Sequence, residues 1–397
     1  MTCVTVAGYG CVCSCGLSAR QAFAGAISGQ AYFALPTQRV NSTYTRTYPV
    51  FLLPPDFIQK CPTGQTISRY AFLEAASQAF AHAEVTPKSL AGWRVGVVVG
   101  TSVDASFNCL NVYDHWRQGA LTTDDDQLLA DYLRHSTASF ISRHFGFAGP
   151  FQTVVTACAS ATDAIGLAKR WIENDVCDAV LCGGTDEINI VPYDGFIRLL
   201  VASKTRCKPF SLDRDGINIG EGAGALLLVN DSLKKSLNLR VNGTVLGYGN
   251  CQDGYHPTAP DPSAKGLKKA LTFALEESGV RICDVAFINA HGTASPANDA
   301  AESVAFREVL PGIPVWGSKS VTGHTLGAAG AVEAVLTLEA LRQGKIPPTY
   351  GFNKADGQIG FLPTQQVTPT QKHVAISDSL AFGGCNSVLV LGGPHAN

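Results

Sequence analysis

Apolar runs that end in glycine recur along the chain and predict buried β-strands. VTVAGYG at 4–10, VGVVVG at 95–100 and VLVLGG at 388–393 are runs of this kind. Between such runs lie segments in which small apolar residues recur at helical spacing, as at 17–29 and 324–341. Short strands that alternate with helical segments predict an α/β fold.

Several of these features occur twice in the same order, which predicts an internal duplication. TVAGYG at 5–10 and TVLGYG at 244–249 differ at one position, and the strands predicted within 95–102 and 285–293 both end in Gly-Thr. The Ala- and Gly-rich helical segment that begins near Cys158 resembles the one at 324–341. We therefore expect two βαβ-type halves of about 200 residues each, with boundaries at 1–235 and 236–397.

The segment 103–150 interrupts this pattern and predicts an insert in the first half. It combines aromatic residues, among them Phe107, Tyr113 and Trp116, with the acidic run at 124–126 and a helical stretch after it. Excursions of this length commonly cap a pocket or form an interface. We expect one of these two roles, including a role in dimer formation.

Composition narrows the function classes. Of the 397 residues, 46% are hydrophobic and 16% are charged, which fits a well-buried α/β protein. The net charge of −2 gives no overall attraction to nucleic acid. Met1 to Gly10 contain no Lys or Arg, and no apolar run reaches the roughly 18 residues that a membrane span needs. We therefore expect a cytoplasmic protein without membrane or nucleic-acid binding.

Most of the thirteen cysteines are expected to be reduced and buried. Cys11, Cys13 and Cys15 alternate, so an extended chain would place them on one side. Their C-x-C-x-C spacing lacks the two-residue gap that is usual in zinc sites. We expect them to fill space beside the first strand, and we expect no metal site.

Cys158 lies in VVTACASATDA at 154–164, where a predicted strand passes into a predicted helix. The N-terminus of a helix favours a thiolate, and small neighbours allow a backbone N–H to face a substrate carbonyl. A buried structural cysteine is the competing interpretation, and on this residue alone it is the better one.

Three further segments change that balance. NAHGTAS contains His291, GSKSVTGH contains Lys319 and His324, and LAFGGCNS contains Phe382. Together with TACAS and the Gly-rich stretch at 208–229, these segments resemble the β-ketoacyl-acyl carrier protein synthases. The resemblance covers nearly the whole chain, and its motifs occur in the order typical of that family.

The resemblance implies a thiolase-like fold, with two pseudo-symmetric halves in a five-layered α-β-α-β-α core. It implies a Cys-His-His triad formed by Cys158, His291 and His324, with Lys319 beside it. The chain-initiating relatives use Cys, His and Asn instead. The presence of Cys158 argues against a chain-length factor, the relative that lacks the nucleophile.

The family reaction implies a role for each of these residues. Cys158 receives an acyl group from acyl carrier protein, and the N–H groups of Cys158 and Phe382 form the oxyanion hole. His291 and His324 then offer N–H groups to the malonyl thioester as it loses its carboxylate, while Lys319 orients His291. The substrates are carried on phosphopantetheine, and no other cofactor is expected.

Supporting residues follow from the same resemblance. Thr293 and Ser295 are expected to hold the pantetheine amides, and Phe382 is expected to act as a gate on the turn made by Gly383 and Gly384. Glu333 is interpreted as a buried partner of Lys319, although a salt bridge elsewhere fits equally well. Asp378 stands where the family usually has Asn, and Leu380 where Phe is common, which affects the support of the gate.

Three alternatives for the function and two for the assembly stay open. The chain is expected to be an active elongating ketosynthase for fatty-acid, polyene or polyketide synthesis. A non-catalytic subunit that shapes a partner's pocket is one alternative, and a thiolase with Cys385 as its second cysteine is another. Either a homodimer or a heterodimer with a chain-length-factor-like subunit is expected.

A docking patch for the acidic acyl carrier protein is expected on one basic segment. It comprises Lys204, Arg206 and Lys208, with Lys60 and Arg69 added from the other subunit. A solvated loop is the competing interpretation of this segment.

Overall fold

The computed structural model describes residues 4–36, 40, 42–103, 110–134 and 136–395. Two parts of the expected insert, 104–109 with Phe107 and residue 135, lie outside the described residues. The rest of the insert forms three helices, and Tyr113 and Trp116 are exposed on the first of them. Its predicted role as a cap or an interface stays a prediction.

The strands alternate with helices as the sequence pattern predicts. In chain order they are β1 (Val4–Cys13), β2 (Phe33–Ala34), β3 (Val50–Phe51), β4 (Val95–Gly100), β5 (Phe151–Val154), β6 (Ala179–Asp186), β7 (Gly222–Val229), β8 (Gly243–Gln252), β9 (Val285–Asn289), β10 (Val315–Trp316), β11 (Lys345–Ile346), β12 (Thr368–Pro369), β13 (Val374–Leu380) and β14 (Cys385–Gly392).

The helices are mostly short, and several begin at a side-chain cap. In chain order they are α1 (Ala19–Ser28), α2 (Pro55–Ile58), α3 (Ile67–His82), α4 (Leu110–Arg117), α5 (Thr123–Arg134), α6 (Thr137–Phe145), α7 (Ser160–Glu173), α8 (Ile190–Arg198), α9 (Asp231–Ser236), α10 (Lys265–Ser278), α11 (Pro296–Val309), α12 (Lys319–Thr322) and α13 (Ala329–Gln343).

The strand order of the main sheet is symmetric about its centre. β1 and β8 pair antiparallel there, with Val4 opposite Val245. Outward from the centre the order is β1-β7-β6-β4-β5 on one side and β8-β14-β13-β9-β10 on the other. Each main-sheet strand of the first half thus has a counterpart in the second half, in the same chain order. The expected duplication into two pseudo-symmetric halves is confirmed.

Helices cover both faces of each half of the sheet. α7 and α13 pack against each other and against strands of both halves, so they lie between the halves. α3 and α6 cover the outer face of the first half, and α10 covers that of the second. This is the layer order α-β-α-β-α. α13 is buried along its length from Ala329 to Leu341, as expected for a helix enclosed by strands on several sides.

The three alternating cysteines at the end of the first strand and just after it line up on one side, as their alternation predicts. The sulfur atoms of Cys11 and Cys13 are 3.9 Å apart, and those of Cys13 and Cys15 are 3.4 Å apart. All three side chains are buried in the apolar core. Across the described ranges, no helix is long and apolar enough to cross a membrane.

Candidate active site

A cavity of about 350 Å³ opens between the two halves of the molecule. Its lining brings together residues from all four motifs, namely Cys158, His291, Thr293, Ser295, His324 and Phe382. The motifs meet there because each of them follows a strand or lies in the turn before a helix. The ends of several strands thus deliver separate motifs to one place.

Cys158 lies in a tight turn between β5 and α7. The residue before it, Ala157, has a φ of +50°, and the short 3₁₀ turn Ala157–Ala159 leads directly into α7. A non-glycine residue in this left-handed region is strained and persists only where the surrounding structure enforces it. The turn holds the thiol at the cavity, where the side chain is 6% exposed.

Two backbone donors point at the Cys158 sulfur, one from Cys158 itself and one from Phe382. These are the groups expected to form the oxyanion hole. Donors fixed by a turn before the substrate arrives need no reorganisation when charge develops on a carbonyl oxygen. The geometry therefore fits stabilisation of a tetrahedral intermediate on Cys158.

Burial raises the pKa of the Cys158 thiol to about 12, although Lys319 and the two backbone N–H groups act in the opposite direction. The expectation that the helix N-terminus favours a resting thiolate is therefore wrong. Loss of hydration outweighs Lys319 and the two backbone N–H groups in this closed turn. At neutral pH the thiol is protonated, and the site has to remove its proton during the reaction.

His324 is placed to take that proton. Its Nε2 lies 3.1 Å from the Cys158 sulfur, and the ring packs edge-on against Phe196. Burial, together with Lys319, holds the pKa of His324 well below its usual range, so the resting ring is neutral. Within the described structure Nδ1 has no hydrogen-bond partner. The far side of the ring therefore does not fix one tautomer.

His291 is held differently, by Lys319 and Glu333. The Lys319 Nζ lies 3.0 Å from His291 Nδ1 and also bonds the Glu333 carboxylate. A lysine ammonium only donates, so Nδ1 accepts and a neutral His291 carries its proton on Nε2. Burial, Lys319 and His324 all lower the pKa of His291. The two imidazole rings are perpendicular, with their centroids 5.1 Å apart.

Glu333 is buried beside Lys319, as one of the two sequence interpretations has it. Burial raises the pKa of this carboxyl to about 7, although Lys319 opposes the shift. Glu333 is therefore a partner of the Lys319 network. The catalytic role of Lys319 itself stays a prediction.

Phe382 lies at the cavity on the turn that joins β13 to β14. Gly383 and Gly384 have φ values of +85° and +81°, which residues with a side chain rarely adopt, and this explains the paired glycines. The Phe382 ring stacks on Phe196, with centroids 5.6 Å apart. Phe196 on α8 was not identified from the sequence, since nothing in its local pattern distinguishes it from a core residue.

Thr293 and Ser295 both line the cavity, and their hydroxyl oxygens are 3.0 Å apart. Ser295 also accepts a hydrogen bond from the Asn298 N–H and so caps the N-terminus of α11. The hydroxyls therefore face the space in which a pantetheine arm would lie. Their binding role stays a prediction.

Cys385, the second cysteine that a thiolase would need, is held elsewhere. Its sulfur lies 3.4 Å from the Asn250 amide nitrogen and 3.7 Å from the Asp163 carboxylate. Burial raises the pKa of this thiol to about 11. Cys385 therefore belongs to a buried polar network behind the turn rather than to the cavity lining.

Arg206 does not fit the expected docking patch, because its half-buried guanidinium is held by backbone oxygens of its own chain. It donates to the backbone oxygens of Ser320, at 2.6 Å, and Gly29, at 2.9 Å. Lys208 is paired with Asp213. Docking on the exposed lysines of the patch stays a prediction.

The same correction applies to one of the residues expected from the other subunit. Arg69 is buried under the Phe140 ring, whereas Lys60 and Lys204 are exposed. The sequence shows that Arg206 and Arg69 are basic, but it does not show their contacts within the molecule, because those contacts come from distant segments of the chain.

A duplicated α/β fold with a cysteine and two histidines facing one cavity defines a protein of the thiolase-like class. The family model described as beta-ketoacyl synthase, N-terminal domain, matches residues 4–233, and the C-terminal domain model matches 242–353. The chain belongs to the β-ketoacyl synthase family. The division at residue 235 stays a prediction.

Individual relatives agree with this assignment. The chain is 33% identical over 332 residues to 3-oxoacyl-[acyl-carrier-protein] synthase 2 of Synechocystis sp.. The matched region covers 79% of each of the two chains. A chain of the ishigamide ketosynthase/chain length factor superposes with a TM-score of 0.90 at 28% identity, covering 99% of both chains. A structure of a ketosynthase with its chain length factor from Xenorhabdus doucetiae superposes with a TM-score of 0.82 at 26% identity. The superposition covers 99% of this chain and 98% of the other.

Proposed function

We propose that this chain is an active elongating ketosynthase. It condenses an acyl group on Cys158 with malonyl-acyl carrier protein and releases a 3-oxoacyl-acyl carrier protein. The observation that carries the proposal is the 3.1 Å contact between His324 Nε2 and the Cys158 sulfur, at which two backbone N–H groups also point. A subunit that only shapes a partner's pocket has no need of this arrangement.

In the first half-reaction, the Cys158 sulfur attacks the acyl thioester and its proton moves to His324. The oxyanion is held by the N–H groups of Cys158 and Phe382. The bond between the acyl carbon and the carrier sulfur then breaks, and the proton passes to the departing carrier thiol. The lowered pKa of His324 favours this return, because the imidazolium is unstable in its buried position.

In the second half-reaction, the malonyl thioester loses its carboxylate as carbon dioxide, or as bicarbonate if a water adds to the carboxyl carbon. The negative charge that develops on the thioester oxygen is stabilised by N–H groups of the two neutral histidines, from Nε2 in His291. The enolate carbon attacks the acyl group on Cys158, the carbon–sulfur bond breaks, and the Cys158 thiolate takes up a proton from solvent. Lys319 fixes the tautomer of His291 that this step needs.

The same proposal covers carrier, cofactor and location. Acyl carrier protein delivers both substrates on its phosphopantetheine arm, with Thr293 and Ser295 as hydroxyl partners for the arm. No metal or further cofactor takes part in either half-reaction. We propose that the condensation takes place in the cytoplasm.

The partner chain is proposed to be a second subunit of the same fold. The two similar structures described above are a ketosynthase/chain length factor and a ketosynthase with its chain length factor. These likenesses extend over nearly the whole chain and support a heterodimer of this kind. The likeness to 3-oxoacyl-[acyl-carrier-protein] synthase 2 supports fatty-acid synthesis as the setting, and polyketide or polyene synthesis is the alternative setting of the same proposal.

The test is intact-mass analysis after incubation with a panel of acyl carrier protein thioesters. We expect the wild type to gain one acyl group on the peptide that contains Cys158 and to form a 3-oxoacyl product when malonyl carrier is added. Cys158→Ala is expected to gain none, whereas the matched control Cys385→Ala is expected to be acylated like the wild type. Acylation that persists in Cys158→Ala would overturn the proposal.

A further inference from the structure

One buried carboxylate lies between the turns that carry the two proposed oxyanion-hole N–H groups, and the half-reactions above give it no role. It belongs to Asp163 in the first turn of α7, a residue that is 7% exposed. An acidic residue in the first turn of a helix complements the helix dipole. That role needs no contact with other elements, whereas Asp163 bonds the turn before α7 and strands β8 and β14.

One oxygen of this carboxylate faces the turn of the nucleophile. Asp163 Oδ2 accepts a hydrogen bond of 2.6 Å from the Thr156 hydroxyl, two residues before Cys158. The Thr156 N–H donates to the Ser160 hydroxyl at 2.9 Å, and that hydroxyl donates to the Ala157 oxygen at 2.6 Å. These bonds enclose Ala157, the strained residue of the turn. The carboxylate thereby ties the strand side of the turn to the helix that follows it.

The other oxygen faces the second half of the molecule. Asp163 Oδ1 accepts from the Tyr248 hydroxyl at 2.8 Å and from the Asn250 amide at 3.0 Å, both on β8. It also accepts from the Ser387 hydroxyl on β14. Burial and the nearby carboxylate raise the pKa of Tyr248, so its hydroxyl keeps the proton that it donates. Asp163 thus joins α7 to two neighbouring strands of the second half.

Ser387 belongs to the hairpin whose turn carries Phe382. It pairs with Ser379 across β13 and β14. The Ser379 hydroxyl lies 2.8 Å from the hydroxyl of Thr162, the neighbour of Asp163 on α7. The first turn of α7 therefore holds both strands of the hairpin at the same level, and Asp163 adds the bond to the turn of the nucleophile.

Asp163 acts through these turns rather than on the substrate. The described lining of the cavity includes Cys158 and Phe382 but not Asp163. Each half of the molecule supplies one of the two oxyanion-hole N–H groups, so their alignment depends on contacts between the halves. Preorganised donors lose their effect when they are misaligned, and a shift of about 1 Å can cost about 10²-fold in rate.

We propose that Asp163 is a positioning residue that fixes the Cys158 turn against the Phe382 turn and so aligns the two oxyanion-hole N–H groups. The inference rests on the proposed condensing activity.

Asp163→Ala removes the link and is expected to slow acylation of Cys158 by an acyl carrier thioester about 10²-fold. Rapid-quench intact mass measures this rate. Two other reactions of the site develop no charge at the oxyanion hole, namely alkylation of Cys158 by iodoacetamide and decarboxylation of malonyl carrier. Both are expected to stay within about threefold of the wild type. A loss of stability alone would leave the ratio of acylation to alkylation unchanged.

Asp163→Asn separates the link from the charge. The amide oxygen can accept from β8 and β14, while the amide nitrogen can donate to the Thr156 hydroxyl, which also accepts. Acylation in this variant is therefore expected within about fivefold of the wild type. Acylation as slow as in Asp163→Ala would show that the charge matters rather than the link, and would overturn the proposal.

Two further variants keep the test decisive. Thr156→Val removes only the bond to the nucleophile turn and is expected to slow acylation about tenfold at an unchanged alkylation rate. It covers the case that Asp163→Ala fails to fold. Glu339→Ala is the matched control, because it removes another buried carboxylate, one that accepts from the Tyr9 hydroxyl at 3.0 Å and pairs with Arg342. It is expected to lower stability and to keep the wild-type ratio of acylation to alkylation.

Hydrogen exchange measures the link without relying on activity. In Asp163→Ala, amides in the peptides 154–160 and 381–387 are expected to exchange about tenfold faster, because both turns open more often. Amides in α10 serve as the reference and should exchange as in the wild type. Asp163→Asn should restore slow exchange in both turns.

Equal slowing of acylation and alkylation in Asp163→Ala, or unchanged exchange in the two turns, would overturn the positioning role. A wild type that no acyl carrier thioester acylates would instead overturn the proposed function. The exchange rates would in that case still decide whether Asp163 links the two turns.

Discussion

His291 and His324 face the same cavity from different surroundings, and this predicts different phenotypes. His324 contacts the Cys158 sulfur directly, whereas His291 is held by Lys319 on its far side. His324→Ala should therefore impair both half-reactions, while His291→Ala should mainly impair decarboxylation.

We expect each substitution to slow decarboxylation about 10²- to 10³-fold, the usual cost of one lost donor to a developing charge. Rapid-quench intact mass separates the two variants, because Cys158 should acylate more slowly in His324→Ala than in His291→Ala. Equal acylation rates in the two variants would contradict the assignment of the thiol proton to His324.

Lys319 and Glu333 form a buried ion pair whose two members depend on each other. Lys319→Met leaves Glu333 buried without its partner, a change that commonly costs about 3–5 kcal/mol. Lys319→Met/Glu333→Leu removes both charges and should regain most of that stability. Urea unfolding of the two proteins measures the difference.

Decarboxylation assays separate the contribution of the Lys319–Glu333 pair to stability from its contribution to catalysis. Neither protein has a donor at Nδ1 of His291, so we expect decarboxylation to stay low in both. A stable double variant with wild-type decarboxylation would show that Lys319 serves only the fold.

At the scale of elements, the two central helices begin in the same way. A residue with positive φ precedes each of them, Ala157 at +50° before α7 and Leu326 at +55° before α13. By this symmetry Gly327 takes the place of Cys158 in the second half. One turn presents the thiol, and its counterpart donates its Gly327 N–H to Asp186. The duplication thus supplies one reactive turn and one structural turn.

The crossing of α7 and α13 depends on a close approach at Gly330. A Cβ at this position would lie 1.9 Å from Thr162 Oγ1, so Gly330→Ala has to push the helices apart. We expect a loss of about 1–3 kcal/mol in unfolding free energy and slower acylation of Cys158, which lies in the turn that leads into α7. Thr162→Ala in the same chain should restore part of both. A Gly330→Ala protein with unchanged stability would contradict the close packing of the two helices.

At the scale of the whole molecule, the sequence predicted the fold and the cavity-facing motifs for a physical reason. Each motif follows a recognisable strand or precedes a helix, and the topology of parallel strands brings such places together. The interior hydrogen bonds of Arg206 and the stacking of Phe196 on Phe382 were not predictable in this way. Their partners lie on elements far apart in the chain, and local spacing carries no record of such contacts.

The two ends of the main sheet differ, and this difference predicts where a partner chain binds. At the β10 end, the Thr364 N–H donates to the Val315 oxygen at 2.8 Å, so a loop covers the edge. At the β5 end, Phe151 and Val155 are 52% and 60% exposed. An open edge strand with exposed apolar side chains is a template for pairing with another chain.

We expect Phe151→Asp/Val155→Asp to weaken the proposed dimer about 10²-fold or more, because two charges replace apolar contact area in the interface. Sedimentation equilibrium measures the change, both for the chain alone and after co-expression with a chain-length-factor-like partner. Leu362→Lys at the opposite end is the matched control, since that side chain is 58% exposed beside the covered edge. It should leave the dimer intact. A double variant that dimerises as tightly as the wild type would place the interface elsewhere on the molecule.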